Sequence, residues 1–570
     1  MDESVRRLLA VARGDEPADL LLAGGTLVDV LSGELRRADV AVVGDRIAAV
    51  GPAREARETV DAGGRFLMPG LIDAHVHLES SLVTPLEFAR AVVPRGTTTV
   101  ICDPHEIANV AGMDGVRWIL DASEDLPLTV LVNAPSCVPA SHLAGSGAAL
   151  DAAELTELGR HPRVLGLAEV MNVPGAVLGD ETLWAKIDAF RGRPLDGHAP
   201  GVSGGWLQAY AAAGILTDHE CTSVDEAREK LRLGINILLR EGTAARNLLD
   251  LLPILSLRTI DRCALCTDDR HPQDLVVRGH IDHLVRLAVG AGLEPLDAVR
   301  LATRSPAGIY GLPDRGAIAP GRVADLVVCD DLRELRPAAV YARGRLAARA
   351  GEPAGAWPEA AESPRLGALT VNTDRLDLEI RGPDRPVRVI DATPGQLVTA
   401  CAARQMPWRD GLLVPDPEAR VAKLAVIERH RGSGNIGLGF VRGLDLSRGA
   451  IGGTVAHDHH NLVVAGMDDE SMATVVRALA AAGGGLAAAV GTRVLALLPL
   501  PVGGLMTDRP LAEVCQELGH LFAAARELGS SLEDPFMLLS FLALEVIPEL
   551  KLTDRGLVDV TRFEIVPLYA

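Results

Sequence analysis

The chain has 570 residues, of which 48% are hydrophobic, with 58 glycines and 35 prolines. A chain of this length predicts two or three domains, and this much apolar material excludes an intrinsically disordered protein. The formal net charge is -20, so nucleic acid and anionic membrane surfaces would repel the chain, and neither is expected as a partner.

The N-terminal segment MDESVRRLLAVARGDEP is charged and lacks the apolar run of a signal peptide. No stretch of about 18 apolar residues follows, so the sequence predicts no membrane span. The 8 cysteines lie far apart except for Cys263 and Cys266, a pattern typical of reduced thiols in a large cytosolic protein. We therefore expect a cytoplasmic location.

Short strand-like runs separated by Gly and Asp occupy residues 18–65, and similar runs return in GAIAPGRVADLVVCDD and AVYARGRL. Gly and Asp between apolar runs are typical of hairpin turns. Two β-rich pieces on either side of a long middle segment predict one composite β-sandwich, formed by residues 1–66 and 311–350.

The middle segment, residues 67–310, alternates strand-like runs with helical stretches such as PLEFARAVV and VDEAREKLRLG. The strand-like runs are FLMPGLIDAHVH, TTTVICDP, LTVLVNA, RVLGLAEV, PLDGHA, GILTDHE, INILL and CALCTDD. Eight strand–helix units of this kind predict an α/β fold, the TIM (β/α)8 barrel. Most runs end in polar side chains, and the carboxyl ends of the strands form the face of such a barrel where active sites lie.

The last part of the chain differs in character from the barrel segment. Residues 351–365, GEPAGAWPEAAESPR, are rich in Pro, Ala and Glu and are interpreted as a linker. Residues 366–570 combine strand-like runs such as KLAVIERH with helical runs such as PLAEVCQELGHLFAAAREL. We expect a C-terminal α+β domain.

The clearest functional motif is Asp73-Ala-His75-Val-His77 at the end of the first barrel strand. Alternate side chains of a strand point to the same face, so His75 and His77 would aim together into the barrel mouth and could bind one metal ion. A pair of packed or surface histidines is the alternative. The position at a strand end favours the metal site.

Other barrel strands also end in residues that can bind metal. His198 ends the fifth strand, His219 the sixth, and Asp268 or Asp269 the eighth. Because strand ends share one rim of the barrel, these residues together with the His-x-His motif predict a dinuclear metal site.

A dinuclear site needs a bridging ligand, which in many such barrels is a carbamylated lysine on the fourth strand. The barrel segment contains only Lys186 and Lys230, and both lie in helical stretches. The fourth strand ends instead at Glu169, and a buried carboxylate without a basic partner is costly unless it binds a metal. Glu169 is therefore predicted as the bridge, and nitrogen and oxygen donors without thiolate suit Mn²⁺, Fe²⁺ or Zn²⁺.

Two further polar segments are candidates for binding a substrate. His105, Glu106 and Asn109 follow the second strand in DPHEIAN and would lie above the barrel mouth, although the alternative is an ordinary helix start with a favourably placed Glu. The segment from His457 to Asn461 holds three histidines and one aspartate. It is interpreted either as a lip over the mouth, with His457 binding substrate or the loop holding an extra metal, or as a polar loop without a role.

The chain resembles bacterial adenine deaminases over about residues 18–565. The matching segments include PGLIDAHVHLESS, GTTTVICDPHEIANV, GLAEVMN, DGHAPG, TDHECTS, AHDHHN and DPFMLLSFLALEVIPELKLTD. The resemblance implies an amidohydrolase core, a family-specific C-terminal domain and a dinuclear iron or manganese site, with these ligands: His75, His77, Glu169, His198, His219 and Asp268. His459 stands where the family pattern has a small residue such as Ser.

The expected reaction is hydrolysis of adenine to hypoxanthine and ammonia, and a homodimer is expected. Two cations would lower the pKa of water toward about 7 and give hydroxide at neutral pH. Asp268 would take the proton of the water and pass it to the leaving amine, with Asp269 as the competing choice. The alternatives are an amidohydrolase for another aminopurine or a cyclic amide, and a non-catalytic scaffold that has kept the barrel.

Overall fold

A computed structural model describes residues 2–52, 54–360, 363–367, 369–373, 376–393 and 396–570. Helix α1 (Glu3–Arg13) ends at Gly14, whose φ of 89° is the left-handed conformation that glycine adopts without steric cost. Seven strands follow: β1 (Ala18–Ala23), β2 (Thr26–Asp29), β3 (Glu34–Arg37), β4 (Asp39–Val43), β5 (Arg46–Gly51), β6 (Ala56–Asp61) and β7 (Phe66–Pro69).

The middle segment contains eight strands in parallel. They are β8 (Leu71–Val76), β9 (Thr97–Cys102), β10 (Thr129–Ala134), β11 (Val164–Val170), β12 (Leu195–Gly197), β13 (Thr217–Asp218), β14 (Asn236–Arg240) and β15 (Cys263–Cys266). Strands β8 to β12 pair in order, as do β13 to β15. The Leu216 amide donates to the Leu195 carbonyl at 2.8 Å, and the Asp268 amide donates to the His75 carbonyl at 3.0 Å. These bonds join β12 to β13 and β15 to β8, so the predicted barrel is confirmed.

Helices connect the barrel strands. They are α2 (Pro85–Val92), α3 (His105–Ala122), α4 (Ala152–Leu158), α5 (Val173–Leu178), α6 (Glu181–Ala189), α7 (Gly204–Ala212), α8 (Val224–Arg232), α9 (Leu248–Leu251), α10 (Pro272–Val277), α11 (Ile281–Gly290), α12 (Pro295–Leu301) and α13 (Arg304–Ile309). Within the described residues, no helix has the length and apolar character needed to cross a bilayer.

The chain then returns to the N-terminal strands through β16 (Leu326–Cys329), β17 (Pro337–Ala342), β18 (Arg345–Arg349) and β19 (Glu352–Pro353). One sheet has the order β5-β4-β1-β6 and the other β19-β18-β17-β16-β7-β2-β3. Leu22, Val40, Leu67 and Leu326 pack in one buried cluster between them, as expected for a composite sandwich. The second sheet extends to Pro353, beyond the predicted end at residue 350; the exact domain boundaries stay a prediction.

The C-terminal part combines sheets and helices, as predicted. Its strands are β20 (Ile380–Arg381), β21 (Val387–Ala392), β22 (Thr399–Arg404), β23 (Trp408–Arg409), β24 (Leu412–Leu413), β25 (Val421–Ile427), β26 (Ile436–Arg442), β27 (Ala450–Gly453), β28 (Leu462–Gly466), β29 (Gly485–Val490), β30 (Arg493–Pro499), β31 (Leu550–Thr553), β32 (Gly556–Asp559) and β33 (Glu564–Val566). The main sheet has the order β22-β21-β26-β25-β28-β27-β29-β30. The helices are α14 (Asp469–Ala482), α15 (Leu511–Glu527) and α16 (Pro535–Ser540).

Hydrogen bonds attach the C-terminal part to the loops of the barrel. The Thr84 amide donates to the Thr507 carbonyl, and the Thr507 amide donates to the Leu82 carbonyl, each at 3.0 Å. The Asn461 side chain donates to the Gly145 carbonyl at 2.8 Å. The C-terminal part therefore lies against the rim where the barrel strands end.

Candidate metal centre and active site

The six predicted ligands converge at the carboxyl ends of the barrel strands. His75 and Glu169 lie on β8 and β11, and the other four directly follow strands β8, β12, β13 and β15: His77, His198, His219 and Asp268. All except His198 are almost completely buried, and the His198 side chain is 13% exposed. Residues far apart in the chain meet because parallel strands end at a common rim.

Glu169 lies between two groups of histidines. Its Oε1 is 3.5 Å from His77 Nε2, whereas its Oε2 is 2.8 Å from His198 Nδ1 and 3.3 Å from His219 Nε2. One carboxylate oxygen thus faces His77 and the other faces His198 and His219, which is the placement that a bridging carboxylate requires.

Asp268 completes the group around the His-x-His motif. Its Oδ1 is 3.4 Å from His75 Nε2 and 3.1 Å from His77 Nε2. The φ of Asp268 is 56°, a left-handed conformation that Asp tolerates better than most residues. Asp269 instead accepts a hydrogen bond from Ser80 Oγ at 2.5 Å, so Asp268 rather than Asp269 joins the cluster.

The hydrogen bonding of His77 tests whether a cation fits here. His77 Nδ1 donates to the Asp103 carbonyl at 2.9 Å, so the neutral ring has its lone pair on Nε2. This lone pair faces the negatively charged oxygens of Asp268 and Glu169. A proton or a metal cation between them removes the repulsion between the lone pair and the two carboxylates. His75, His77 and Asp268 offer donor atoms within 4.8 Å of one another, as do His75, Glu169 and His219. Two such neighbouring sets fit a pair of divalent cations.

Arg240, at the end of β14, controls the charge of Asp268. Burial opposes ionisation of Asp268, but the adjacent positive charge of Arg240 outweighs it and holds the Asp268 pKa well below its ordinary value. Arg240 Nη1 is 2.7 Å from Asp268 Oδ2, and the guanidinium also pairs with Glu220. Sequence reasoning missed Arg240 and Glu220, although Arg240 ends a strand and Glu220 follows His219.

His105, which was predicted to bind substrate, lies close to the proposed metal ligands. Its Nδ1 is 3.0 Å from Asp103 Oδ2 and 3.4 Å from Glu169 Oε1, and His77, Asp103, His105 and Glu169 form another set of donor atoms within 4.8 Å. His105 is thus adjacent to the proposed ligands and also lines the pocket over them, and its contact with substrate stays a prediction. Asp103, which was not predicted, lies beside them as well.

Glu106 and Asn109, which were predicted to bind substrate, both have hydrogen-bond partners within the protein. Glu106 accepts hydrogen bonds from His457 Nδ1 at 2.5 Å and from His460 Nε2, so both of its oxygens are engaged. The Asn109 amide donates to the His105 carbonyl at 3.0 Å and its Oδ1 accepts from Ser146 Oγ at 3.2 Å. Asn109 is fully buried inside the packing of α3. Glu106 nevertheless lines the pocket above the ligand cluster, whereas Asn109 does not, and substrate binding by either residue stays a prediction.

The loop from His457 to Asn461 does lie over the barrel mouth, as one of the two interpretations expected. His457 lines the pocket above the ligand cluster and stacks on Phe541 at 4.7 Å between ring centroids. The Ala456 amide donates to His460 Nδ1 at 3.1 Å, which leaves the ring proton on Nε2. Glu106, His457 and His460 offer donor atoms within 4.8 Å of one another, but a metal ligand needs a lone pair on that nitrogen of His460, and an extra metal at this loop stays a prediction.

His459, the departure from the family pattern, has a structural partner. His459 Nε2 lies 2.6 Å from Glu545 Oε1, which also accepts a hydrogen bond from Ser141 Oγ at 2.5 Å. All three side chains are buried. The larger residue therefore connects the loop over the mouth to the chain around residue 545, whose neighbours line the pocket.

A buried polar network supports the ligands on β12 and β13. Lys230 Nζ donates to the Ala199 carbonyl at 2.7 Å and to Asp218 Oδ2 at 2.8 Å. Asp218 Oδ1 in turn accepts from the Ala199 amide at 2.8 Å. Ala199 follows His198 and Asp218 precedes His219, so Lys230 connects the backbone beside both histidines. The sequence showed only a lysine in a helical stretch.

The C-terminal part forms one wall of the pocket above the cluster. The pocket is lined on the barrel side by every ligand candidate except His75, together with His105, Glu106, Met171, Glu220, Arg240 and Asp269. On the other side it is lined by Leu397, His457, Asp458, Phe541, Leu544, Val546 and Ile547. Apolar side chains therefore face a charged rim, and this arrangement limits the access of bulk water to the cluster.

Comparisons with known proteins agree with this architecture. Residues 66–347 match the amidohydrolase family, and residues 396–564 match the adenine deaminase C-terminal domain. The adenine deaminase of Desulfatibacillum aliphaticivorans is 47% identical over 565 residues, covering 99% of each chain. That of Nitratidesulfovibrio vulgaris strain Hildenborough is 49% identical over 565 residues, covering 98% of this chain and 97% of its own.

Among solved structures, an adenosine deaminase from Xanthomonas campestris with bound zinc is 18% identical and matches with a TM-score of 0.45 over 60% of this chain and 95% of its own. The two family matches and the near-complete overlap with relatives at this level of identity show that the chain belongs to the adenine deaminase family.

Proposed function

We propose that this protein hydrolyses adenine to hypoxanthine and ammonia. One observation carries the proposal: four histidines and Asp268, from the ends of four barrel strands, cluster with Glu169, each of whose oxygens faces different histidines. Full-length relatives named adenine deaminase support the choice of substrate.

The proposed cofactor is a pair of divalent metal ions, Mn²⁺ or Fe²⁺, with Zn²⁺ as a further candidate. His75, His77 and Asp268 would hold one ion, His198 and His219 the other, and Glu169 would bridge them. When bound, such ions lower the pKa of water toward about 7 and so make hydroxide available at neutral pH.

The side chains of the protein supply proton transfer. Replacing the amine of adenine with oxygen requires one proton to leave the water and the nitrogen to depart as ammonia. We propose that Asp268 accepts the proton and passes it to the amine. Arg240 keeps Asp268 ionised, so the carboxylate carries no proton before the reaction. The apolar wall at Phe541 and Ile547 limits competing solvent.

His457 remains a proposed substrate contact. Its Nδ1 is bound by Glu106, which fixes the ring, and the side chain lines the pocket. The C-terminal part would then complete a site that the barrel alone leaves open. Glu106 would act by orienting His457 rather than by touching the purine.

Ammonia release from adenine, measured with added Mn²⁺ or Fe²⁺ and with a chelated control, tests the proposal. A panel of other aminopurines and cyclic amides in the same assay tests the alternative substrates. Ammonia release is expected from adenine only, or at a higher rate from adenine than from any other compound of the panel. A metal-loaded protein that releases no ammonia from adenine would contradict the proposal. The homodimer and the cytoplasmic location stay predictions.

A further inference from the structure

A second cavity lies beside the pocket over the ligand cluster. This outer chamber has a volume of about 530 Å³ and is lined by Ala244 and His271 from barrel loops and by Phe522 and Asp534 from the C-terminal part, among others. Its size is within the range of pockets that take small organic ligands. Its wall combines the rings of Phe522 and Phe541 with apolar side chains and with polar and charged groups that include Arg246, Gln273 and Asp534, and a planar heteroaromatic ring can both stack and form hydrogen bonds with such a wall.

The outer chamber and the inner pocket share two lining residues, Leu397 and Phe541. These two side chains therefore separate the two spaces. The proposed ligands in the inner pocket are buried, so a substrate needs a path to them. The shared wall places the outer chamber directly beside the inner pocket.

Lys551 joins the two residues of this partition. Its Nζ donates to the Leu397 carbonyl at 2.8 Å and to the Phe541 carbonyl at 3.0 Å. The side chain is fully buried on β31, and burial lowers its pKa to about 7. Burial of a lysine side chain costs desolvation free energy, so a buried lysine usually has a structural or functional role. Lys551 binds the backbone of two segments that are far apart in the chain.

We propose that the outer chamber is the access site for the purine ring, that Leu397 and Phe541 form the partition it must pass, and that Lys551 is a positioning residue for that partition. The inference rests on the proposed function for the identity of the ligand. The partition changes the free-energy barrier between the free ligand and the ligand bound in the inner pocket, and it does not change the free energies of those two states. It therefore alters association and dissociation rate constants together and leaves their ratio nearly unchanged.

Stopped-flow fluorescence with 2-aminopurine, a fluorescent planar purine, tests the proposal on the metal-loaded protein. Ala244→Trp fills the chamber and should lower the association rate constant by about tenfold or more. Val494→Trp, which adds the same ring at a residue that is 40% exposed on β30, is the matched control and should leave the rate constant at the wild-type value. Leu397→Ala should raise both rate constants by about threefold or more with a nearly constant Kd.

Lys551→Met should reproduce the effect of Leu397→Ala. A loss of affinity without paired rate changes would mean that Lys551 is only structural, and if this variant does not fold, Leu397→Ala still tests the partition. Equal association in Ala244→Trp and Val494→Trp, or no binding of 2-aminopurine by the wild type, would overturn the access site. Failure of the proposed function appears separately, as absence of ammonia from adenine while these rates still respond to the substitutions.

Discussion

Lys230→Met tests whether the polar network beneath the cluster determines the geometry of the proposed metal centre. The substitution keeps most of the side-chain volume and removes the ammonium group that donates to Asp218, Ala199 and Glu226. The side chains of Lys230 and Asp218 are both 0% exposed. The variant therefore leaves a buried carboxylate without its counter-charge.

The expected decrease in the free energy of unfolding is large because water cannot reach the buried Asp218 and replace the missing ammonium group. Breaking a buried pair by removing one member costs about 3–5 kcal/mol. For a domain of barrel size, this corresponds to a decrease in Tm of roughly 6–20 °C. The backbone beside His198 and His219 loses its connection at the same time, and removal of such supporting contacts lowers metal affinity by about 10–100-fold.

Thermal unfolding of the metal-free protein and Mn²⁺ titration measure the two effects separately. Lys423→Met is the matched control, because Lys423 is also buried but its partner Asp469 is 43% exposed, so the pair should contribute only about 1 kcal/mol. Lys230→Met combined with Asp218→Asn removes the uncompensated charge and should recover part of the stability. A Tm within about 2 °C of the wild type, together with unchanged Mn²⁺ affinity, would refute the reasoning.

Three further predictions concern individual side chains. Asp268→Asn should lower kcat by about 10²–10⁴-fold while much of the metal stays bound, and a rate within a factor of ten of wild type would remove proton transfer from its role. Glu169→Gln should reduce both metal content and activity, because an amide bridges cations poorly; full metal loading measured by elemental analysis would exclude the bridge. The free energy of unfolding of wild type relative to Lys551→Met should rise as pH increases from about 7 to 10.5, because the unfolded chain keeps the lysine proton through that window and the folded chain releases it. A difference that stays constant over this range in denaturant titrations would show that burial does not lower the Lys551 pKa.

The barrel could be predicted because its signals are local. Each strand is an apolar run with polar residues at its carboxyl end, and parallel strands bring those ends to one rim whatever the detailed packing. This rule nominated His75, His77, His198 and His219, with either Asp268 or Asp269, and the structure brings these four histidines and Asp268 close to Glu169. The pairing of the first and last β-rich segments followed similarly from their turn-separated strands.

The choice between neighbouring residues could not be made from the sequence. Asp268 and Asp269 are adjacent residues of the same type, so the sequence does not distinguish them. The left-handed backbone at Asp268 directs its carboxylate to His75 and His77, whereas the Asp269 carboxylate accepts a hydrogen bond from Ser80. Glu106 and Asn109 appeared free to read a substrate because a helix start exposes polar groups. Histidines from more than 300 positions further along the chain engage Glu106 instead.

The sequence by itself thus determined the barrel, the rim and the type of donor atoms, since strand periodicity and residue chemistry are properties of short segments. Tertiary structure alone decided how Lys230 supports two histidines, how Arg240 keeps Asp268 charged and how the C-terminal part closes the pocket. Those features depend on contacts between segments distant in the chain, and the energy of a buried charge or hydrogen bond is set by the partner that folding places beside it.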